Sequence, residues 1–203
     1  MNPPGTNTDP LLTRLAGLAP PDGPDLTDRV FDGWLSAPSL LGPVWVACSP
    51  AGVSFLRAAA EFSEDDFRAA HRRRVGRPLR PCPIVPEGLE AALRGDAAAT
   101  PRLDLRGLTD FQRDVLAATR TIPAGETRPY AWVAAEVGRP GAVRATGTVL
   151  ATNPVPLLIP CHRVVPSHGA GGPDQVGRYI FGTPAKLRLL AAEGAAVARG
   201  GVR

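Results

Sequence analysis

Proline and glycine divide the C-terminal half of this chain into pieces too short for any long helix. The chain has 203 residues, 23 of them proline and 22 glycine. Proline fixes φ and removes a backbone donor, and glycine tolerates positive φ, so clusters of the two end helices. Such breaks fall at Pro123-Ala124-Gly125, Gly138-Arg139-Pro140-Gly141 and Asn153-Pro154-Val155-Pro156. Between them the pattern is helical. Thr109 can cap a helix whose Phe111, Val115, Leu116 and Thr119 share a face; Tyr130 to Val137 forms a second helix and Ala142 to Ala151 a third. The last two, joined by a glycine-containing turn, match a helix-turn-helix layout. Leu157-Leu158-Ile159 reads as a short apolar strand or extended segment, and Pro166 to Arg178 as a Gly-rich loop. A final helix opens at Thr183-Pro184-Ala185, turns Leu187, Leu189 and Leu190 inward and stops at Gly194, leaving a frayed tail to Arg203.

The N-terminal half has a different grain. Residues 1–40 read as a poorly defined extension with short helices from Asp9 to Leu18 and near Thr27 to Leu35. Gly42 to Leu56 is a β-hairpin, with Val44-Trp45-Val46 on one arm, a turn at Pro50-Ala51-Gly52, and Val53, Phe55 and Leu56 on the other. Ser63 caps a helix that opens on Glu64-Asp65-Asp66 and closes on Arg72-Arg73-Arg74, the charge order that a helix dipole favours. The arginine run reads as a solvated helix end. Residues 75–86 are extended, Leu89 to Arg94 is a short helix, and Gly95 to Pro101 is a linker. The expected protein is α/β (α+β): an extension over 1–40, a small β-containing domain over 41–100 and a mostly helical domain over 101–203.

Composition removes several classes. With 44% hydrophobic and 21% charged residues the chain is an ordinary globular mix. No run approaches the roughly 20 apolar residues of a membrane helix, and Met1–Pro10 has no basic patch ahead of an apolar stretch, so neither a membrane span nor a signal peptide is expected. Cys48, Cys82 and Cys161 are odd in number and widely spaced. That argues against a disulfide scaffold or a Cys-rich zinc site, and for a reducing intracellular setting. The formal charge of +4 is uneven: residues 1–100 carry 10 Lys+Arg against 12 Asp+Glu, and residues 101–203 carry 13 against 7. The C-terminal half is the one suited to a polyanion.

Cys161, between Pro160 and His162, is the candidate nucleophile. A free cysteine has a pKa of about 8.5, so thiolate is the minor form at neutral pH. Activation needs a nearby base or positive potential; His162 and Arg163 can supply both, with Glu193 orienting the imidazole. On a regular strand adjacent side chains face opposite ways. Cys161 and His162 can therefore cooperate only if the chain turns at Pro160 or a water bridges them. The competing reading is a buried structural cysteine beside a hydrogen-bonded histidine.

The run Leu158-Ile159-Pro160-Cys161-His162-Arg163-Val164-Val165 resembles the active-site signature of the O6-alkylguanine-DNA alkyltransferases, or methylated-DNA–protein-cysteine methyltransferases. The resemblance runs in order through Phe111, Pro123-Ala124-Gly125-Glu126-Thr127, Tyr130, Ala142-Val143-Arg144-Ala145-Thr146-Gly147 and Asn153-Pro154-Val155-Pro156. It resumes at Tyr179, Gly182, Lys186 and the stretch from Leu189 to Gly194. The hairpin, from Gly42-Pro43-Val44, is loosely similar to the family's smaller β-containing domain.

The resemblance implies a winged-helix-like helix-turn-helix and direct DNA repair. The alkyl group of O6-alkylguanine, or of O4-alkylthymine, would pass irreversibly to Cys161, each molecule acting once on a base flipped from the minor-groove side. It implies that His162 activates Cys161 through a water, that Glu193 orients His162, and that Asn153 fixes the turn between recognition helix and active-site loop. Arg144 would fill the gap in the base stack. Tyr130 would help rotate the nucleotide and bond the base. The carbonyls of Cys161 and Val164 would accept from the guanine amino group, with Tyr179 and Ile180 beside the base. No cofactor and no metal is expected, since Cys48, His71 and Cys82 do not match the zinc ligands of some relatives. The implied partner is double-stranded DNA containing O6-alkylguanine, bound by a monomer away from membranes, in the cytoplasm and, in a bacterium, at the nucleoid.

The sequence departs from the family pattern in three places. Ile180 and Phe181 are bulky where small residues are usual, and would narrow the pocket or stack on the base. The loop 166–178 is longer than is typical. The stretch from Gly147 to Asn153 lacks a basic residue often found there for phosphate contact. The rival readings are a non-catalytic alkyltransferase-like lesion sensor, against which the cysteine itself stands, a methylation-responsive regulator, and a thiol hydrolase.

Overall fold

A computed structural model describes residues 27–82, 84–167 and 176–195. Helix α1 (Thr27–Val30) leads straight into strand β1 (Asp32–Ala37). The expected helix through Leu35 is thus cut short, and the span assigned to a loose extension contributes a strand. The reason is periodicity. Leu35 and Ala37 are buried on either side of exposed Ser36, a two-residue alternation that a helix does not satisfy. The expected hairpin is β2 (Val44–Ser49) and β3 (Gly52–Ala58), and β4 (Leu79–Pro81) runs parallel to β1. The sheet order is β3-β2-β1-β4, so β1 is interior.

The two faces of this sheet have different neighbours. Helix α2 (Glu64–Val75), capped by Ser63 as expected, packs Phe67 against Ala47, Phe55 and Leu79 on one face. On the other face Leu35, Val44, Val46 and Leu56 merge with helix α3 (Leu89–Leu93) and with Val115, Leu116, Val149 and Val164 of the C-terminal half in one core. The outer edge of β3 is also occupied. Leu56 N–H donates to the Pro154 carbonyl (2.8 Å), and Val53 N–H to the Arg102 carbonyl (2.8 Å). An open strand edge invites pairing with other chains; this one braces the Asn153-Pro154 turn instead.

In the C-terminal half, α4 (Asp110–Arg120) begins with a reciprocal capping box between Thr109 and Gln112, a device worth about 1 kcal/mol. Then come β5 (Arg128–Pro129), α5 (Tyr130–Glu136) and α6 (Val143–Ala151), followed by a 3-10 turn at Cys161–Arg163, β6 (Val164–Val165) and α7 (Gly182–Ala192). Helices α4, α5 and α6 pack against one another.

Two local expectations need correction. Leu157-Leu158-Ile159 forms no strand: Leu157 has φ +75° and only an isolated bridge joins Pro156 to Ile159. Pro154, Pro156 and Pro160 cannot donate to a ladder, which keeps the segment irregular. In α7, Leu189 and Leu190 are buried, but Leu187 is only half-buried and Lys186 is buried in its place. Lys186 lies three residues before Leu189 and four before Leu190 and so shares a face with both, whereas Leu187 has that spacing to Leu190 alone. The expected helix from Asp9 to Leu18, the middle of the 166–178 loop and the tail beyond residue 195 lie outside the described residues.

Candidate active site

Pro160 precedes a 3-10 turn in which the Arg163 N–H donates to the Pro160 carbonyl (2.9 Å). The chain therefore does turn at this point, which removes the strand geometry that would separate Cys161 from His162. Residues in a 3-10 turn diverge by about 120°, not 180°. Directly after the turn, β6 pairs in parallel with β5, Arg128 opposite Val164 and Pro129 opposite Val165. Tyr130 starts α5 immediately after β5, so a two-residue ladder fixes the tyrosine and the cysteine turn relative to each other.

Cys161 is 5% exposed and opens on a cavity of about 470 Å³. Tyr130, Gly147, Ala151, Tyr179 and Ile180 share its lining. Gly177, at the rim, has φ +77°, and a Cβ there would press on Pro166 at 3.1 Å and on the Tyr130 hydroxyl at 3.4 Å. Phe181 does not enter this space. It is buried, with its ring edge-on to Tyr179 at 5.5 Å. Of the two bulky residues expected to narrow the pocket or stack on the base, only Ile180 lines the cavity.

Asn153 uses both ends of its amide. Its Oδ1 accepts from Val155 N–H (3.0 Å), and its Nδ2 donates to the Ile159 carbonyl (3.0 Å) and to Cys161 Sγ (3.2 Å). The same side chain thus fixes the turn and touches the sulfur. Burial pushes the Cys161 thiol up, and the Asn153 amide, the Lys186 ammonium and the Arg57 guanidinium each pull it back.

His162 Nε2 lies 2.8 Å from Glu193 Oε1. That contact puts the proton on Nε2 and leaves Nδ1 as an acceptor, and Nδ1 is buried with no protein partner among the described residues. Burial lowers the His162 pKa, Glu193 works against that, and the ring is neutral at neutral pH. Glu193 also takes two bonds from Arg163, Nε to Oε2 (3.0 Å) and NH2 to Oε1 (2.8 Å). Burial alone would raise the Glu193 carboxyl, but the bonds from His162 and Arg163 outweigh it and hold the pKa down to about 2. Arg163 spends its remaining contact on the Ile122 carbonyl (2.6 Å) and so serves Glu193, not the sulfur. Gly125 permits this packing: with φ +80° it lies against the backbone of Glu193, where a Cβ would fall 2.9 Å from the carbonyl oxygen.

The structure gathers Cys161, His162, Asn153, Glu193, Tyr130, Val164, Tyr179 and Ile180 around one centre. Arg144 stands apart, exposed near the start of α6. One participant has no role assigned by the sequence. Lys186 is fully buried, and its Nζ donates to the Val164 carbonyl (2.6 Å). Burial lowers its pKa to about 8, with the Cys161 charge opposing that shift. One acceptor position of Val164 is therefore already filled. A signal does exist: Lys186 is the only lysine among 23 basic residues.

A mixed sheet packed on a helical half, with a buried thiol at the floor of a cavity flanked by two short helices, defines a cysteine-centred α+β protein. Residues 110–195 match the family model of the 6-O-methylguanine DNA methyltransferase, DNA binding domain. The chain is 35% identical over 176 residues to the methylated-DNA–protein-cysteine methyltransferase of Shigella flexneri, covering 82% of this chain and 96% of that protein. It is 52% identical over 91 residues to the Mycobacterium tuberculosis protein of the same name, covering 45% and 52% of the two chains. The crystal structure of Mycobacterium tuberculosis OGT in complex with DNA superposes with a TM-score of 0.59 at 30% identity, covering 84% of this chain and 96% of that one. The chain belongs to the methylated-DNA–protein-cysteine methyltransferase family.

Proposed function

We propose that this protein repairs DNA directly, by taking the alkyl group of O6-alkylguanine in duplex DNA onto Cys161. The observation that carries this is the buried Cys161 sulfur, bonded by Asn153 and opening on a cavity between Tyr130 and Ile180. A base stacked in a duplex cannot reach a sulfur at that depth, so the nucleotide rotates out of the helix into the cavity. Arg144, exposed on α6, fills the gap left behind. Tyr130 and Tyr179 flank the base, and the Cys161 carbonyl and the remaining lone pair of the Val164 carbonyl face its amino group.

The thiol proton passes through a bridging water to His162 Nδ1, while Glu193 holds Nε2 and stabilises the imidazolium that forms. The thiolate attacks the alkyl carbon. The S–C bond forms, the C–O6 bond breaks, its electron pair stays on the guanine oxygen, and the proton held by His162 neutralises the released base. Lys186 stabilises the thiolate until the alkyl group arrives. A thioether has no easy leaving path, so each molecule acts once. The protein works as a monomer inside the cell, where its three free cysteines stay reduced.

The test is intact-protein mass spectrometry after incubation with a duplex containing O6-methylguanine, with Cys161→Ala as control. The wild type gains one methyl group and the variant gains none. Lesion binding without mass gain would replace this reading with the non-catalytic sensor. That alternative rests on two bulky residues, of which Phe181 is turned into the core.

A further inference from the structure

Beside the alkyl-transfer centre, and sharing Ala151 with its cavity, lies a separate basic groove. It has a volume of about 570 Å³ and lies where the N-terminal sheet and α2 meet the end of α6. Arg57, Arg73, Arg74 and Arg106 line it together with Ala151 and Thr152. Arg106 is neutralised by Asp104 and lies 3.6 Å from Asp32. The other three have no carboxylate partner among the described residues.

Arg57 is the informative one. Its guanidinium is pinned by the carbonyls of Leu56 (2.6 Å), Asn153 (3.4 Å) and Pro154 (3.3 Å), and lies 4.0 Å over the Phe55 ring. Burial and the charge of Arg74 together push its pKa down to about 10. A helix dipole explains why arginines collect at the C-terminal end of α2. It does not explain a fixed third guanidinium beneath them, where like charges repel. An arrangement that is unfavourable on its own becomes favourable when an anion enters.

The position of the groove identifies that anion. Arg144, Thr148 and Ala151 are all exposed and spaced four and three residues apart, on one face of α6. From Arg144 to Ala151 this face runs about 10 Å along the helix axis and ends in the groove.

We infer that Arg57, Arg73 and Arg74 form a phosphate-binding groove that takes the DNA backbone beyond the C-terminal end of α6, so that the N-terminal half shares in holding the duplex. The run Arg72-Arg73-Arg74 is then more than a solvated helix end. This inference rests on the reading that α6 faces DNA.

The test measures binding of a short unmodified duplex across a salt series by fluorescence anisotropy. It compares the wild type with Arg73→Ala/Arg74→Ala and with Arg68→Ala/Arg72→Ala, which removes the same charge from the same helix outside the groove. Each lost phosphate contact lowers the slope of log K against log salt by about 0.9. The groove variant should lose about 1.8 from its slope, and the control less than half of that. Equal losses in both variants, or none in either, with wild-type binding intact, would overturn the groove and leave the DNA reading standing. A wild type that binds no duplex would overturn both. If inorganic phosphate stabilises the wild type but not the groove variant while the two slopes agree, the groove takes free anions and its assignment to DNA is overturned.

Discussion

Among the described residues are two buried histidine–carboxylate pairs, one in each half, and they are built to opposite ends. In the N-terminal half His71 Nε2 lies 3.4 Å from Asp32 Oδ2 and 3.5 Å from Ser54 Oγ, and Nδ1 lies 3.2 Å from the Arg77 carbonyl. The residue types of a hydrolase triad thus meet here, but Ser54 and Asp32 both lie on Nε2, where a triad divides serine and aspartate between the two ring nitrogens. All three are 3% exposed or less, and none lines the cavity that receives Cys161. In the C-terminal half His162 spends one nitrogen on Glu193 and keeps the other without a partner among the described residues, and Cys161, its neighbour in the chain, lines a cavity. Residue types alone do not separate these two clusters. What does is an unspent nitrogen and a space for substrate.

The largest effects should fall on opposite properties. His162→Phe should slow alkyl transfer by about 10²–10⁴-fold, the span that general base catalysis supplies. Asp32→Asn should instead cost about 3 kcal/mol of stability, because it weakens a buried carboxylate that holds Arg77 Nε at 2.9 Å and lies within reach of His71 and Arg106. Transfer per folded molecule should be unchanged. Single-turnover rates measured alongside denaturant melts check both halves of this crossed expectation. If Asp32→Asn slows the chemistry as strongly as His162→Phe does, the distinction between the clusters collapses.

The two halves also differ in how far the sequence reveals them. In the C-terminal half the Pro/Gly breaks bound α4, α5 and α6 well, because helix caps and helix ends are local chemistry. The signature around Cys161 places the site, and Glu193 meets His162 as expected. The strand β1 is hidden, since its pattern covers only six residues and its partners lie elsewhere in the chain. Phe181 cannot be assigned to core or pocket from composition, because that depends on which way one helix-capping residue points. The Asn153 bond to sulfur and the burial of Lys186 arise from packing across 8 and 22 residues respectively, which no local pattern encodes.

Lys186 offers a sharper test of what distinguishes the two centres. A buried ammonium beside a sulfur favours thiolate, so Lys186→Met should raise the Cys161 pKa. The rising limb of transfer rate against pH should then move to higher pH. At neutral pH the rate should fall about tenfold for each pH unit that the limb moves. The loss should shrink as the pH is raised, because the thiolate forms in the variant too. A purely structural lysine would lower the rate equally at every pH. The rate–pH profiles of wild type and variant decide between these outcomes.

The smallest effect concerns acid stability. Glu193 is held down to about 2 from an ordinary 4.5 by His162 and Arg163, against the opposing effect of burial. A carboxyl with a depressed folded-state pKa contributes stability that is fully present above its unfolded value and is lost as pH falls through the folded one. The contribution of Glu193 should therefore be intact above about pH 4.5 and fade toward pH 2. Glu193→Gln keeps the shape without the charge. The gap in thermal midpoint between wild type and this variant should close as pH falls across that window, since a protonated glutamate and a glutamine make similar bonds. Subtracting the variant removes the titration of every other carboxylate from the comparison. A gap that stays constant through the window would mean that the His162–Glu193 contact holds its place by shape alone, as a packed structural pair would, and that its charge serves neither stability nor the histidine.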